Sequence, residues 1–273
     1  MSQDDPIRNT QLTLKPLGQQ CTYCGAQLDE RFYFCPVCAT PFRSIETVVT
    51  PFKPQELTDS QRIERNVPQV KVVFTAVAAT VVLSAMASFL LFQGGRPDLQ
   101  LIFETVALGG VTFVLAAIYR KSLWAQLGRI GFDRPAAWAS LLALPVVLGI
   151  NWLWHAMIQQ AIGWEDFSYA DPLREAGMTT TQLVLLFCLA PAIVEELSFR
   201  GLLQHWMQTT LSPARALLIS SALFAGLHFS LLSFPYLLLV GLLLGWSKWK
   251  TGSLYPAMVI HFIHNYVVVV IWS

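Results

Sequence analysis

From residue 70 onward the chain alternates long apolar runs with short polar intervals. The runs Val70 to Phe92, Leu99 to Tyr119, Ala136 to Ile158, Thr181 to Leu203 and Ala214 to Leu232 each have the length of a bilayer-spanning helix. Phe234 to Trp246 and Leu254 to Trp272 bring the expected number to about seven, the sixth being short enough to read as re-entrant. Upstream the pattern vanishes. Met1 to Gln20 is polar, with no apolar core and no small-residue cleavage site, and reads as a disordered N-terminus kept in the cytoplasm. Arg43 to Gln69 is polar, carries Pro51, Pro54 and Pro68, and reads as a linker. The expected fold is all-α, a polytopic transmembrane bundle over residues 70–273, preceded by a small ribbon at 21–42.

Composition sharpens this picture. With 54% hydrophobic and 13% charged residues, the chain has too few charges to clothe a soluble domain of its size. A net charge of +1 without a concentrated basic face excludes a nucleic-acid partner and leaves the lipid bilayer as the first one. The position of the charges is more informative than their sum. Arg62, Arg65 and Lys71 precede the first run, Arg120, Lys121, Arg129 and Arg134 follow the second, and Arg215, Lys248 and Lys250 flank later ones. All fall on one side if the N-terminus is inside. The opposite loops hold Arg96 and Arg174, and the long one also carries Glu165, Asp166, Asp171 and Glu175. This asymmetry places a multi-pass protein in the inner (plasma) membrane, N-terminus in the cytoplasm.

Two chemistries stand out. Cys21, Cys24, Cys35 and Cys38 have C-x2-C-x10-C-x2-C spacing, which lets two knuckles offer four thiolates to one structural zinc. The segment Cys21 to Phe42 is too short to bury a core, so metal binding would supply most of its folding energy. It resembles the zinc ribbons found at the ends of many bacterial proteins, and its partner is left open. Two disulfides are the alternative in an exported segment. Cys188 reads as a packing residue.

The second chemistry lies in the membrane. Ionised side chains are costly there, yet the fourth run contains Glu195, Glu196 and Arg200. Glu196 and Arg200, four apart, share a helix face and can pair, whereas Glu195 points about 100° away. An unpaired buried carboxylate suits a general base. Pro191 removes the helical partner of the Phe187 carbonyl. Phe224 and His228 share a face of the fifth run, where His228 reaches a depth similar to that of Glu195. His261 and Asn265 share a face of the seventh and can donate hydrogen bonds to a developing oxyanion. His264 reads as a supporting residue, Asn151 and His155 as polar glue between helices, Glu104 and His205 as near an interface, and Gly241 and Gly245 as a close-packing pair.

Glu195-Glu196-x-x-x-Arg200, Phe224-x-x-x-His228 and His261-x-x-x-Asn265, in that order, resemble the three motifs of the CPBP family, which includes the CAAX prenyl endopeptidases. The resemblance covers about 182–266. It implies a glutamate-dependent intramembrane endopeptidase acting on membrane-associated or lipid-modified peptides. In that reading Glu195 and His228 activate water, His261 and Asn265 stabilise the oxyanion, and Arg200 holds Glu196. Two histidines and a carboxylate can also hold zinc, but without H-E-x-x-H spacing the expectation is water activation with no catalytic metal. The competing readings are a proton-coupled transporter using the same groups as a relay, and a non-catalytic peptide-binding or bacteriocin-immunity protein.

The charge asymmetry makes a direct prediction. A cysteine introduced at Asn66 will resist an impermeant thiol reagent in intact cells, and one in the Gln159 to Thr180 loop will react; labelling at Asn66 would invert the topology.

Overall fold

The computed structural model describes residues 12–16, 20–21, 24–27, 37–38, 43–47, 59–92, 95–128, 133–163 and 170–272. The chain divides into two compact units, 1–58 and 59–273. In the first, strands β1 (Leu12–Pro16) and β2 (Arg43–Thr47) pair antiparallel, Leu14 opposite Ile45. A disordered start and a linker were the expectations for these two segments, and neither is apolar enough to signal a strand by itself. A separate bridge joins Gln20 to Gln27.

The second unit is helical: α1 (Asp59–Phe92), α2 (Pro97–Ile118), α3 (Arg120–Leu127), α4 (Arg134–Ile162), α5 (Asp171–Glu175), α6 (Thr180–Gln208), α7 (Pro213–Gly226), α8 (Phe234–Thr251) and α9 (Tyr255–Ile271). Local signals set many ends. Asp133 caps α4 by accepting from the Ala136 amide, and Gly163, at φ 65°, closes it. Thr179 and Gln182 form a reciprocal capping box at α6. Helix α1 starts ten residues before the end of the expected linker, because Gln61 to Asn66 favours helix and Pro68 costs only local bonding.

Four helices, Ile63–Phe92, Pro97–Ile118, Arg134–Ala161 and Thr180–Gln208, are long and apolar enough to cross a membrane. They define a helical membrane bundle. Where the fifth run was expected to continue to Leu232, α7 stops at Gly226 and spans only about 21 Å, less than the ~30 Å hydrocarbon core. Helix α8 instead extends past Trp246 to Thr251, where Gly252 at φ 67° ends it.

The bundle is apolar outside and polar within. Phe89 and Leu90 of α1, Val106 of α2 and Leu142 of α4 are exposed, as lipid-facing side chains should be. Every residue from Glu196 to Gln204 is buried. Helix α6 packs on α1, α2, α7, α8 and α9, and mixes turn types, with π-turns over Val184–Leu189 and Glu196–Gln204. Its buried polar groups bridge to neighbours: Ser198 shares a 2.7 Å hydroxyl contact with Thr112 of α2, and Gln126 of α3 donates to the Gly201 carbonyl at 2.9 Å. Arg200 donates to the Gly241 carbonyl at 3.2 Å and Gln204 to that of Gly245 at 2.9 Å. Both pairs are four apart, so one face of α6 reads one face of α8 like a ladder. Gly245 permits that approach, since a Cβ there would lie 2.9 Å from Gln204 Oε1, and Gly241 lets α7 close on α8, since its Cβ would lie 3.1 Å from Ser221 Cβ and 3.2 Å from its backbone.

Gly241→Val should therefore wedge α7 from α8, loosen the Arg200 contact and lower stability by about 1–3 kcal/mol. Gly110→Ala, where a Cβ meets nothing within 4 Å, should leave it unchanged or slightly higher. Thermal unfolding in detergent distinguishes the two.

Candidate active site

The catalytic chemistry expected of the membrane segment gathers on one cavity of about 430 Å³, whose wall includes Glu195, His228, His261, His264 and Asn265. Glu196 and Arg200 stand behind that wall, with side chains 0% and 2% exposed. Arg200 Nη1 donates to Glu196 Oε1 at 2.9 Å, the pairing their spacing predicts. The guanidinium also lies 4.3 Å from the centroid of the Phe224 ring.

His261 changes the picture of the two acids. Its Nδ1 lies 2.9 Å from Glu196 Oε1 and its Nε2 3.9 Å from Glu195 Oε2. The carboxylates were expected on diverging faces, but the switch from α-turn at Glu195 to π-turn at Glu196 lets one imidazole address both. Glu196 fixes Nδ1 as a proton-bearing nitrogen, which leaves Nε2 toward Glu195 and the cavity. Glu195 Oε2 is buried without a hydrogen-bond partner.

His228 follows the end of α7 rather than lying within a longer helix. Its Nδ1 approaches the Phe224 carbonyl at 2.7 Å; a carbonyl only accepts, so Nδ1 donates and Nε2 remains for another contact. The next residue, Phe229, takes φ 51°, a costly backbone for a bulky side chain. Trp154 of α4 steadies this turn by donating to the Leu232 carbonyl at 2.8 Å. Phe224 joins these parts: its ring meets Phe199, His228 and His261 edge-on.

Asn265 Nδ2 donates at 2.8 Å to the Phe187 carbonyl, the group that Pro191 cannot satisfy. Its Oδ1 then accepts from His264 Nδ1 at 2.7 Å, so His264 Nε2 accepts from the Tyr236 hydroxyl. Asn265 retains a second N–H. Tyr236 went unnoticed in the sequence, where it resembled any aromatic residue of α8. Glu104 accepts from Ser88 at 2.5 Å and, with Asn151 and His155, lines the same cavity. Asn151 Oδ1 is buried and unpartnered.

In the N-terminal unit, thiol sulfurs of Cys21, Cys24 and Cys38 lie within 4.8 Å of one another and could hold a metal ion. Cys35 lies outside the described residues, as do Arg129, Glu165 and Asp166. The Cys21–Cys38 sulfur separation of 3.5 Å is far beyond a ~2.05 Å disulfide, and close to that of two ligands on a tetrahedral ion with ~2.3 Å bonds. Gly25, at φ 73°, sends its amide to the Cys21 carbonyl at 2.9 Å, forming a tight knuckle. Cys188 is buried in packing, as expected.

A helical membrane bundle with a polar cavity built from paired acids, histidines and an amide is the setting of an intramembrane protease. Residues 177–267 match the family model described as type II CAAX prenyl endopeptidase Rce1-like. The matched segment contains all seven residues of the three motifs, so this domain is similar to the CPBP/CAAX proteases, a family of peptide-bond hydrolases. No curated protein and no solved structure matches the chain.

Proposed function

We propose that the chain is an intramembrane endopeptidase in which Glu195 is the general base. The observation that carries this reading is the division of labour between the acids. Each acid keeps a buried Oε2 without a hydrogen-bond partner, but Glu196 is held through Oε1 by Arg200 and His261 behind the wall, while Glu195 lines the cavity. Glu195 takes a proton from water as the hydroxide forms a bond to the peptide carbonyl carbon. The C–N bond then breaks, the same proton passes to the leaving nitrogen, and the products are a carboxylic acid, which keeps the hydroxide proton until it ionises, and an amine. His228 Nε2 orients the water. His261, oriented through Nδ1 by Glu196, and the second N–H of Asn265 stabilise the oxyanion.

The substrate is a membrane-associated or lipid-modified peptide. Val81, Ala85, Leu101, Leu108, Leu186 and Val268 give the cavity an apolar wall suited to such a chain. The N-terminal unit binds one structural zinc through Cys21, Cys24, Cys35 and Cys38; four thiolates close the coordination sphere and leave the ion a folding role. On the basic-residue asymmetry this unit faces the cytoplasm from the plasma membrane.

Glu195→Gln should abolish turnover while preserving folding and peptide binding. Asn265→Ala should cut kcat about 10²–10³-fold and cost about 1–3 kcal/mol of stability, because the Phe187 carbonyl loses its donor. Glu196→Gln should cost about 3–5 kcal/mol by stranding Arg200. Cleavage of a membrane-anchored peptide by correctly folded Glu195→Gln at the wild-type rate defeats the assignment.

Metal analysis of reduced full-length protein should find one equivalent of zinc, lost on replacing Cys21 and Cys24 by serine. Less than half an equivalent in the wild type would refute the zinc site.

A further inference from the structure

A second pocket, of about 480 Å³, opens where α3, the end of α6 and the end of α8 meet. Its wall contains Lys121, Ser122, Gln126, His205, Trp206, Gln208 and Lys248, and none of the described residues lining it is acidic. Lys248 is buried, 4% exposed, and donates to Gln208 Oε1 at 3.3 Å. That bond fixes the Gln208 amide and leaves its Nε2, which is buried and has no partner. Trp206 Nε1 and Ser122 Oγ are likewise buried and unpartnered. Gln126 Nε2 donates to the Ser122 and Gly201 carbonyls, so its unpartnered Oε1 is the one of these orphan atoms that can only accept.

Orphaned buried donors cost about 1–3 kcal/mol each, and the residues that carry them line one pocket with two lysines. Cations, an indole N–H, an amide N–H and a hydroxyl together form a receptor for a phosphate group. The surroundings place it at headgroup depth. Trp124 is exposed, Lys250 lies 4.9 Å from the Trp249 ring centroid, and Arg120 is adjacent: the aromatic and basic residues of a membrane interface. We propose that this pocket binds a phosphate group, and that an anionic phospholipid headgroup supplies it. The Gln126 carbonyl matches a hydroxyl on such a headgroup. Binding there would tie α3, α6 and α8 together at one membrane face, away from the Glu195 cavity.

The test uses the full chain in a phosphate-free maltoside detergent. Short-chain phosphatidylglycerol, the matching diacylglycerol and inorganic phosphate are titrated separately while the unfolding midpoint is followed. Phosphatidylglycerol should raise the midpoint saturably and diacylglycerol should not. Half-saturation should move at least about tenfold in Lys248→Gln and in Trp206→Phe, each of which removes one donor. Lys121→Gln, at an exposed position, gives the same reading should the buried lysine prove necessary for folding. A preference of about tenfold for phosphatidylglycerol over inorganic phosphate identifies a headgroup site, and equal affinity a phosphate site filled from solution. No saturable shift with either phosphate carrier, or a shift that survives these substitutions, overturns the proposal and makes the pocket a water-filled cleft. Peptide cleavage does not enter the readout, so the outcome is independent of the role of Glu195.

Discussion

Two opposite charges four residues apart, withdrawn from water in the middle of an apolar bundle, constrain nearly everything around them. The desolvation of Glu196 and Arg200 amounts to several kcal/mol per ion, and their mutual attraction offsets it only when the remaining hydrogen-bonding capacity is also used. The structure supplies partners from three helices, although Glu196 Oε2 keeps none. The Gly241 carbonyl of α8 accepts from Arg200, Phe224 of α7 lies against the guanidinium, and His261 of α9 donates to the carboxylate. The positions of α7, α8 and α9 around α6 thus follow from satisfying one ion pair. Because His261 completes that set, the imidazole that faces Glu195 is oriented by the group that holds the bundle together.

The elements outside the matched segment are more than scaffolding. Ser84 and Ala85 of α1, Glu104 of α2, and Asn151 and His155 of α4 all border the cavity, whereas the residues of the three motifs come from α6, α7 and the segments that follow. The chemistry and its enclosure therefore have different origins in the chain. Polar side chains on α1, α2 and α4 give the enclosure hydrogen-bonding capacity that a purely apolar lipid-facing helix would lack.

What the sequence disclosed tracks the range of the interaction. The Glu196–Arg200 pair follows from a four-residue spacing, and the exposed Phe187 carbonyl from Pro191, since both are local. That Asn265 satisfies this carbonyl required two helices 78 residues apart to meet. The π-turns had no signature in hydropathy, and neither did the single imidazole of His261 that approaches both Glu195 and Glu196. The apolar run through Leu232 concealed the end of α7, because Phe229, Leu231 and Leu232 read as span while Phe229 turns the backbone to positive φ. Pro68 concealed the start of α1, and in the N-terminal unit knuckle spacing was legible but strand pairing was not.

The series Tyr236, His264, Asn265 and the Phe187 carbonyl has a fixed polarity, because a carbonyl at its end can only accept. Tyr236 must donate, His264 must carry its hydrogen on Nδ1, and the Asn265 amide cannot turn over without setting lone pair against lone pair at Phe187. An amide neither takes up nor releases a proton near neutral pH. The line of hydrogen bonds therefore acts as an electrical insulator: it transmits orientation from α8 through α9 to α6 but passes no charge. A proton conductor needs at every station a group that can hold the proton and hand it on, and along this branch the path stops one residue after His264.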